Sequence, residues 1–342
     1  MKELIDQLLT NKGLSEADTF RLFESIFAGK LSDSQIAAVL SAWRILGETE
    51  KELYAGARLM RKAATRSWIP DSFRPLTDNC GTGGDGADSF NISTFSAIIA
   101  ASCGVSMVKH GNRSVSSKCG GADLLFAMGY PDKLNSDQSC QLLEETGLTF
   151  FFAPNFHPVM KHVMPVRKSL GLRTIFNLLG PLCNPLAPEF QLLGVGHKDA
   201  LTPMAKCLSR LGVSKALVVH SQDGMDEISA SAVTDGFFIE EDTISPWSFD
   251  PSSIGIRPEQ VTVKGGNIAE NTRIMKELLE NQDCGAKETV LLNAAAVLWI
   301  RGLVPSIEEG YSQAKKSLES GNVRDFFNRW IQKARSLAGE NQ

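Results

Sequence analysis

Apolar positions follow two different periods along the chain, and the change between them divides the sequence. From residue 1 to about residue 65, apolar residues recur with helical spacing. Three of these runs begin at capping-box-like starts, and glycines separate the runs as stops. The starts are Ser15-x-x-Asp18, Ser32-x-x-Gln35 and Thr49-x-x-Glu52, and the glycines are Gly13, Gly29 and Gly47. This part predicts a bundle of four short helices.

Beyond residue 75, short apolar runs typical of buried strands alternate with helical patterns. Strands are predicted at residues 105–108, 149–153, 191–195, 216–220 and 236–239. Helices are predicted at residues 91–101, 124–128, 136–146, 203–211, 269–280, 287–301 and 323–338. Such alternation predicts an α/β fold with a central, mostly parallel sheet flanked by helices.

One segment interrupts the alternation. Residues 157–185 carry two helical patterns, at 160–170 and 172–179, and the first of them is basic. A helical insertion between strands could return to the N-terminal bundle. Residues 250–267 have little regular pattern and are predicted to lie at the surface.

Composition and charge narrow the class of protein. The 342 residues are 43% hydrophobic, which is ample for a core, and the formal net charge of −4 argues against nucleic acid or an anionic membrane as the main partner. Seven cysteines stand singly along the chain, which suits reduced thiols in a cytoplasm and opposes a disulfide framework or zinc site. We expect neither a secretory signal nor a membrane span.

The richest chemistry lies in residues 78–89, a loop with glycines at 81, 83, 84 and 86. Glycines leave backbone N–H groups free to curl around an anion, and the helix predicted after the loop points its N-terminus at the same place. The loop therefore predicts a phosphate cradle. Asp85 within it would repel a directly bound phosphate, so its expected partner is a divalent cation or a ribose hydroxyl. Because Mg²⁺ binds through one or two carboxylates together with phosphates, the cradle also predicts Mg²⁺.

A second polar loop follows the strand predicted at 105–108. It contains Lys109, His110, Asn112 and Arg113, and a second helix start follows at residues 116–121. A strand ending here would deliver an ammonium and a guanidinium close to the cradle. Two helix N-termini with two cations suit a ligand that carries more than one phosphate.

Gly81-x-Gly83-x-x-Gly86 also matches the dinucleotide fingerprint. That motif requires an apolar strand immediately before it, a helix at once after it and an acidic residue about 20 positions on. Residues 75–80 do not read as an apolar strand, and the next strand ends in Lys109 and His110. The context therefore opposes a nicotinamide cofactor.

Taken together, the motifs closely resemble the anthranilate phosphoribosyltransferase family, within the nucleoside phosphorylase and phosphoribosyltransferase fold group. The resemblance rests on GTGGD at 81–85, FNIST at 90–94, KHGNRSVSS at 109–117, residues 157–185, and the pair Asp226 and Glu227. It covers nearly the whole chain. It implies a helical domain formed by residues 1–70 with 158–185, and an α/β domain formed by 71–157 with 186–342. It also implies a homodimer through the helical domain.

The resemblance implies transfer of the 5-phosphoribosyl group from phosphoribosyl diphosphate to anthranilate, with release of diphosphate. It assigns the donor to Gly81, Gly84, Asp85, Ser89, Asn91, Ser93, Thr94, Lys109, Ser117 and Gly121. It assigns anthranilate to Gly81, His110, Asn112 and Arg167, with Arg173 a weaker candidate. It assigns Mg²⁺ to Ser93, Asp226 and Glu227. No protein nucleophile or general base is implied.

The chain departs from the family pattern at two positions, and two alternative functions remain open. Where family members often carry serines, this chain has Cys119 and Gly121, so a hydroxyl contact with phosphate is lost. A pyrimidine nucleoside phosphorylase of similar fold would bind inorganic phosphate and a nucleoside, but the acid pair and Arg167 favour diphosphate and a carboxylate. A non-catalytic nucleic-acid-binding relative should be basic, whereas this chain is acidic and keeps those residues.

Overall fold

Four helices form the N-terminal part of the chain, as the periodicity predicts. The computed structural model describes residues 1–10, 13–65, 68–114, 118–258 and 261–339. The helices are Lys2–Leu9 (α1), Glu16–Phe27 (α2), Asp33–Leu46 (α3) and Glu50–Ala63 (α4). The predicted starts are confirmed, because Ser15 and Ser32 accept hydrogen bonds from the N–H groups of Asp18 and Gln35. Phe23 and Trp43 stack in the bundle core, with ring centroids 4.8 Å apart.

A seven-stranded sheet forms the centre of the larger part. Its strands are Thr77–Asp78 (β1), Met107–Gly111 (β2), Leu148–Phe152 (β3), Phe190–Gly194 (β4), Lys215–Ser221 (β5), Thr234–Glu240 (β6) and Thr243–Phe249 (β7). The spatial order is β3-β2-β1-β4-β5-β6-β7. The first five strands in that order are mutually parallel, and β6 and β7 are antiparallel. The predicted mostly parallel sheet is confirmed.

Helices cover both faces of the sheet. The remaining ones are Ile92–Ser102 (α5), Gly121–Ala127 (α6), Ser136–Thr146 (α7), Ala153–Phe156 (α8), Met164–Leu170 (α9), Ile175–Leu179 (α10), Leu201–Arg210 (α11), Ile268–Leu279 (α12), Lys287–Ile300 (α13), Ile307–Glu319 (α14) and Asn322–Leu337 (α15). Successive residues of β5 point to opposite faces. Leu217 and Val219 therefore join the core with α5 and α13, while Ala216 and Val218 join the core with α11 and the bundle.

The segment between β3 and β4 packs against the bundle. Val163, Ile175 and Leu179 share one buried core with the residues of α2 to α4. The predicted helix 160–170 is divided into a 3₁₀ turn, Pro158–His162, and α9. Pro165 explains the division, because a proline lacks the N–H for a continuing helix and suits a first turn.

Among the further elements that differ from the prediction are β1, β7 and α14. A strand does precede the glycine loop, but β1 has only two residues, too few to leave a pattern. Strand β7 at the sheet edge contains Pro246, which is tolerated only where no neighbour needs its N–H. Helix α14 also lies outside the predicted elements. Among the described residues, no helix combines the length and apolarity needed to cross a membrane.

Candidate active site

The candidate site lies at the carboxyl ends of the parallel strands, where ligands bind in open α/β sheets. The glycine loop leaves β1, the second polar loop leaves β2 at Asn112, and β4 and β5 lead to Val195 and to the acid pair. Lys109 and His110, which were predicted in that loop, lie in β2 itself and pair with β3. These strands are neighbours in the sheet, so four loops that are distant in sequence meet at one edge.

Lys109 lies buried beneath the start of α5. Its Nζ donates to Asn79 Oδ1 at 3.2 Å and to Ser93 Oγ at 3.1 Å. Asn79 in turn donates to the Ser93 carbonyl at 2.7 Å. These partners are neutral, so the Lys109 Nζ is available to bind an anionic ligand at the N-terminus of α5.

The glycine loop folds onto Asp226. The Gly83 N–H donates to Asp226 Oδ2 at 2.7 Å, and a Cβ at Gly81 would lie only 2.6 Å from the same oxygen. Gly83, Gly84 and Gly86 have φ values of +65°, +74° and +76°, a region that favours glycine. Only a glycine-rich segment can therefore approach this carboxylate so closely.

The structure brings Asp85 beside the acid pair, which sequence order alone could not establish. Asp85 Oδ2 accepts a hydrogen bond of 3.4 Å from the Asp226 N–H. Burial, with the Asp85 charge, raises the pKa of Asp226 to about 7. Burial and the Asp226 charge raise the pKa of Glu227 well above its usual value, although Lys109 opposes that rise.

Crowded carboxylates of this kind hold protons unless a cation shares their oxygens. Within the described part of the chain, no three His, Cys, Asp or Glu side chains could hold a metal on their own. Mg²⁺ fits this arrangement, because it binds through one or two carboxylates together with substrate phosphates.

The start of α5 joins the two loops. Asn91 occupies the N-cap position without a side-chain capping bond, and its Nδ2 donates to the Cys119 carbonyl at 3.3 Å. Thr94 is buried, and its hydroxyl has no partner among the described residues. A Cβ at Gly121 would lie 2.8 Å from that hydroxyl, so a serine there would displace Thr94. Ser89 lies in an isolated bridge with Lys264 at the outer side of the loop.

The predicted acceptor residues lie on separate elements. Arg167 on α9 is partly buried, donates to Asn177 Oδ1 at 3.3 Å and lies 5.7 Å from the Phe176 ring centre. Asn112 is exposed, and its side chain accepts from the Arg113 N–H at 2.8 Å. No hydrogen bond between described residues links Arg167 to Asn112. Arg173 instead contacts the donor loop, donating to the Gly84 carbonyl at 3.2 Å.

His110 forms a buried pair with His157. The two Nε2 atoms are 3.1 Å apart, and His110 Nδ1 lies 3.1 Å from the Gly180 carbonyl. Burial lowers the pKa of His110 to about 3 and that of His157 to about 4. Both rings are therefore neutral at pH 7, and His110 must carry its proton on Nδ1 to bond the carbonyl.

Sequence reasoning missed several residues of this region. Asp78, Asn79 and Asn184 form a buried network under the site, and Asn184 Nδ2 donates to Asp78 Oδ2 at 2.9 Å. Asp78 and Asn79 lie inside the segment 78–89 and Asn184 inside the segment 157–185, and this was the available signal. His157 is the first residue of one of them. Ser117, assigned to the donor, lies outside the described residues.

Comparison with known proteins identifies both parts of the fold. Residues 74–324 match the model of the glycosyl transferase family, a/b domain. Residues 2–64 match that of the glycosyl transferase family, helical bundle domain.

Curated relatives and solved structures extend the match over the whole chain. The anthranilate phosphoribosyltransferase of Hydrogenovibrio crunogenus is 39% identical over 99% of both chains, and that of Streptococcus gordonii is 43% identical over 94% of this chain and 96% of its own. The Thermus thermophilus enzyme superposes with a TM-score of 0.88 at 36% identity, covering 97% of this chain and 99% of its own. The Saccharomyces cerevisiae enzyme in complex with PRPP and Mg has a TM-score of 0.87 at 26% identity, covering 98% and 97%.

Proposed function

This chain belongs to the anthranilate phosphoribosyltransferase family, and from that membership we infer its reaction. The enzyme transfers the 5-phosphoribosyl group from phosphoribosyl diphosphate to the amine of anthranilate. The bond from C1 of the ribose to the diphosphate oxygen breaks, and a bond from C1 to the amine nitrogen forms. The amine loses one proton, and diphosphate leaves. The observation that carries this proposal is the meeting of the glycine loop, Lys109 and the acid pair at one sheet edge.

The donor would lie between the glycine loop and the start of α5. Backbone N–H groups of Gly81 and Gly84 and the side chains of Asn91 and Thr94 would hold its oxygens, with Lys109 as the fixed charge. Charge that develops on the departing diphosphate is then stabilised by groups already in position. The further donor residues proposed are Asp85, Ser89, Ser93, Ser117 and Gly121.

Mg²⁺ would be held by Asp226, Glu227 and the Ser93 hydroxyl, and when bound it neutralises diphosphate oxygens and so favours their departure. The raised pKa values of the two acids support this assignment, because a cation would relieve their mutual repulsion.

Anthranilate would bind on the other side of C1. The Arg167 guanidinium offers a planar pair of donors to the carboxylate, and His110 and Asn112 would orient the ring and its amine, with Gly81 against it. These residues act by positioning a weak nucleophile. We assign no side chain the role of a covalent nucleophile and none that of a general base.

We extend the proposal to the organisation of the protein. Residues 1–70 with 158–185 would form the helical domain and the homodimer interface, and residues 71–157 with 186–342 the donor domain. The shared core of α9, α10 and the bundle supports this division. A cytoplasmic location, with neither nucleic acid nor membrane as partner, completes the proposal.

The decisive experiment follows anthranilate fluorescence in the purified protein. We expect the signal to decay only when phosphoribosyl diphosphate and Mg²⁺ are both present, with one diphosphate released per anthranilate consumed. Release of free base from uridine or thymidine with phosphate, without anthranilate consumption, would reject the proposal.

A further inference from the structure

Two buried asparagines on the C-terminal helices bind the backbone of the proposed donor site. Asn293 lies in the middle of α13, and Asn271 lies in the first half of α12; both are fully buried. A buried amide in an apolar setting is unfavourable unless its hydrogen bonds are made. Each of these side chains makes its bonds to a loop of the site as well as to its own helix.

Asn293 pairs with both backbone groups of one residue. The Ile228 N–H donates to Asn293 Oδ1 at 3.0 Å, and Asn293 Nδ2 donates back to the Ile228 carbonyl at 2.9 Å. Nδ2 also donates to the Thr289 carbonyl, one turn earlier, at 2.8 Å. Ile228 directly follows the acid pair, so this side chain fixes the end of the turn that carries both carboxylates.

Asn271 makes similar contacts on the other side of the proposed donor site, at the start of α5. Its Oδ1 accepts from Asn91 N at 3.2 Å and from Asn91 Nδ2 at 3.0 Å. Its Nδ2 donates to the Asn267 carbonyl, again one turn earlier, at 3.2 Å, and to the Gly266 carbonyl at 3.0 Å. Asn91 is the residue that joins the start of α5 to the second loop.

We propose that Asn293 and Asn271 are positioning residues, Asn293 for the acid pair and Asn271 for Asn91. Neither would touch substrate. The inference rests on the proposed function, since that function assigns the acid pair to metal binding and Asn91 to phosphoribosyl binding. It predicts that loss of each amide produces a different defect, because Asn293 contacts the turn of the acid pair and Asn271 contacts Asn91.

Serine is the sharpest replacement at both positions. In a helix its hydroxyl bonds the carbonyl one turn earlier, so Asn293→Ser and Asn271→Ser keep the helix-internal bond and lose the bonds to the loops. Ser317→Ala is the matched control. Ser317 is buried on α14 and bonds Ser102 Oγ at 3.0 Å, at the far end of α5 from the site.

Magnesium binding should separate the variants. Titration calorimetry of Mg²⁺ in the presence of diphosphate should show affinity about tenfold weaker in Asn293→Ser, the size of effect seen when partners of metal ligands are removed. Asn271→Ser should raise the KM for phosphoribosyl diphosphate by roughly five- to tenfold, as expected for lost hydrogen bonds, with Mg²⁺ affinity unchanged. The anthranilate KM should stay constant in both, and Ser317→Ala should lower only Tm.

Unchanged Mg²⁺ affinity in Asn293→Ser, or variants that lower only Tm as the control does, would overturn the inference. An unaltered protein that neither binds Mg²⁺ with diphosphate nor consumes anthranilate would instead reject the proposed function. Hydrogen exchange on the unaltered chain gives a test that requires no variant. The Ile228 and Asn91 amides should exchange slowly before any ligand is added, and exchange at the rate of an open loop would also overturn the inference.

Discussion

Lys109 shows how one residue acquires a role from its neighbours. The sequence places an ammonium after a strand, which is compatible with an ordinary surface lysine. In the structure it is buried, and its hydrogen bonds go to Asn79 and Ser93. Among the described residues, no carboxylate lies within salt-bridge distance of it. The charges of Asp78 and Glu227 act on it from further away, and a phosphate would supply the directly bound anion that a buried cation favours.

Arg167→Ala should impair acceptor binding far more than donor binding. Loss of hydrogen bonds to a charged carboxylate costs about 1.5 to 3 kcal/mol, so the anthranilate KM should rise roughly 10- to 100-fold. Steady-state kinetics with each substrate varied would measure this. Arg173→Ala is the comparison, because Arg173 contacts the donor loop. An equal rise in both KM values for Arg167→Ala would contradict its assignment.

His157→Phe should flatten the acid dependence of stability. The folded-state pKa values of about 3 and 4 lie below that of an unfolded histidine, so stability from the neutral rings is complete above about pH 6.5 and is lost as the pH falls towards 4. Urea unfolding between pH 7.5 and 4.5 would report it. The unaltered protein should lose about 2 to 3 kcal/mol more than the variant over this range. Parallel curves would show that the pair does not govern acid stability.

The residues of the site were more predictable than their contacts. Motif residues such as Gly81, Lys109 and Asp226 could be selected because their chemistry suits phosphate and metal. That Asp226 accepts from Gly83, or that His110 meets His157, depends on strand order, which a local pattern does not encode. Asn271 and Asn293 were invisible because a lone amide in a helical pattern carries no functional signal.

Helices and strands also differ in how well the sequence predicts them. The bundle helices were predicted because burial of one face imposes a helical period on their apolar residues. Helix α13 is different, since it is apolar and buried on nearly every side. Strand β1 was not predicted, since two residues cannot show alternation. It nevertheless lies at the centre of the parallel strands and positions the glycine loop that follows it. Neighbouring strands on both sides, rather than its own sequence, make this segment extended.

Gly194→Ala tests how closely β4 must approach the acid turn. A Cβ at Gly194 would lie 1.5 Å from the Asp226 carbonyl oxygen, so the turn must move. Overpacking of this kind costs about 1 to 3 kcal/mol or more. We expect a lower Tm and lost binding of Mg²⁺ with diphosphate in calorimetry. Gly180→Ala is the control, since nothing lies within 4 Å of its added Cβ and its φ is −46°. Equal effects in both would contradict the steric argument.

At the scale of the whole molecule, one arginine joins the two parts. Arg210 on α11 contacts Glu16 of α2 at 2.9 Å and also Glu50 of α4, and its guanidinium lies 3.9 Å from the Tyr54 ring centre. Ion pairs therefore connect α11 to the bundle, in addition to the apolar core that the bundle shares with the sheet. The helical patterns in residues 158–185 could indicate a return to the bundle, but no local pattern identifies Glu16 and Glu50 as the partners of Arg210.

Arg210→Ala should lower the free energy of unfolding by about 1 kcal/mol at low salt and by less in 1 M NaCl, because exposed ion pairs are weak and screened. Urea unfolding at both salt concentrations would measure the difference. Arg273→Ala is the matched control, since its ion pair with Glu277 stays within one helix. A loss that does not depend on salt would assign the effect to the Tyr54 contact instead.

The shared core also has a consequence for synthesis. The first four helices leave the ribosome long before α9 and α10, which complete their packing, and the intervening residues include β1, β2 and β3. Until then the nascent bundle exposes the surface that Val163, Ile175 and Leu179 later cover. Newly made chains therefore expose this apolar surface of the bundle while residues 64 to 179 are being synthesised. We expect chaperones to bind them at this stage.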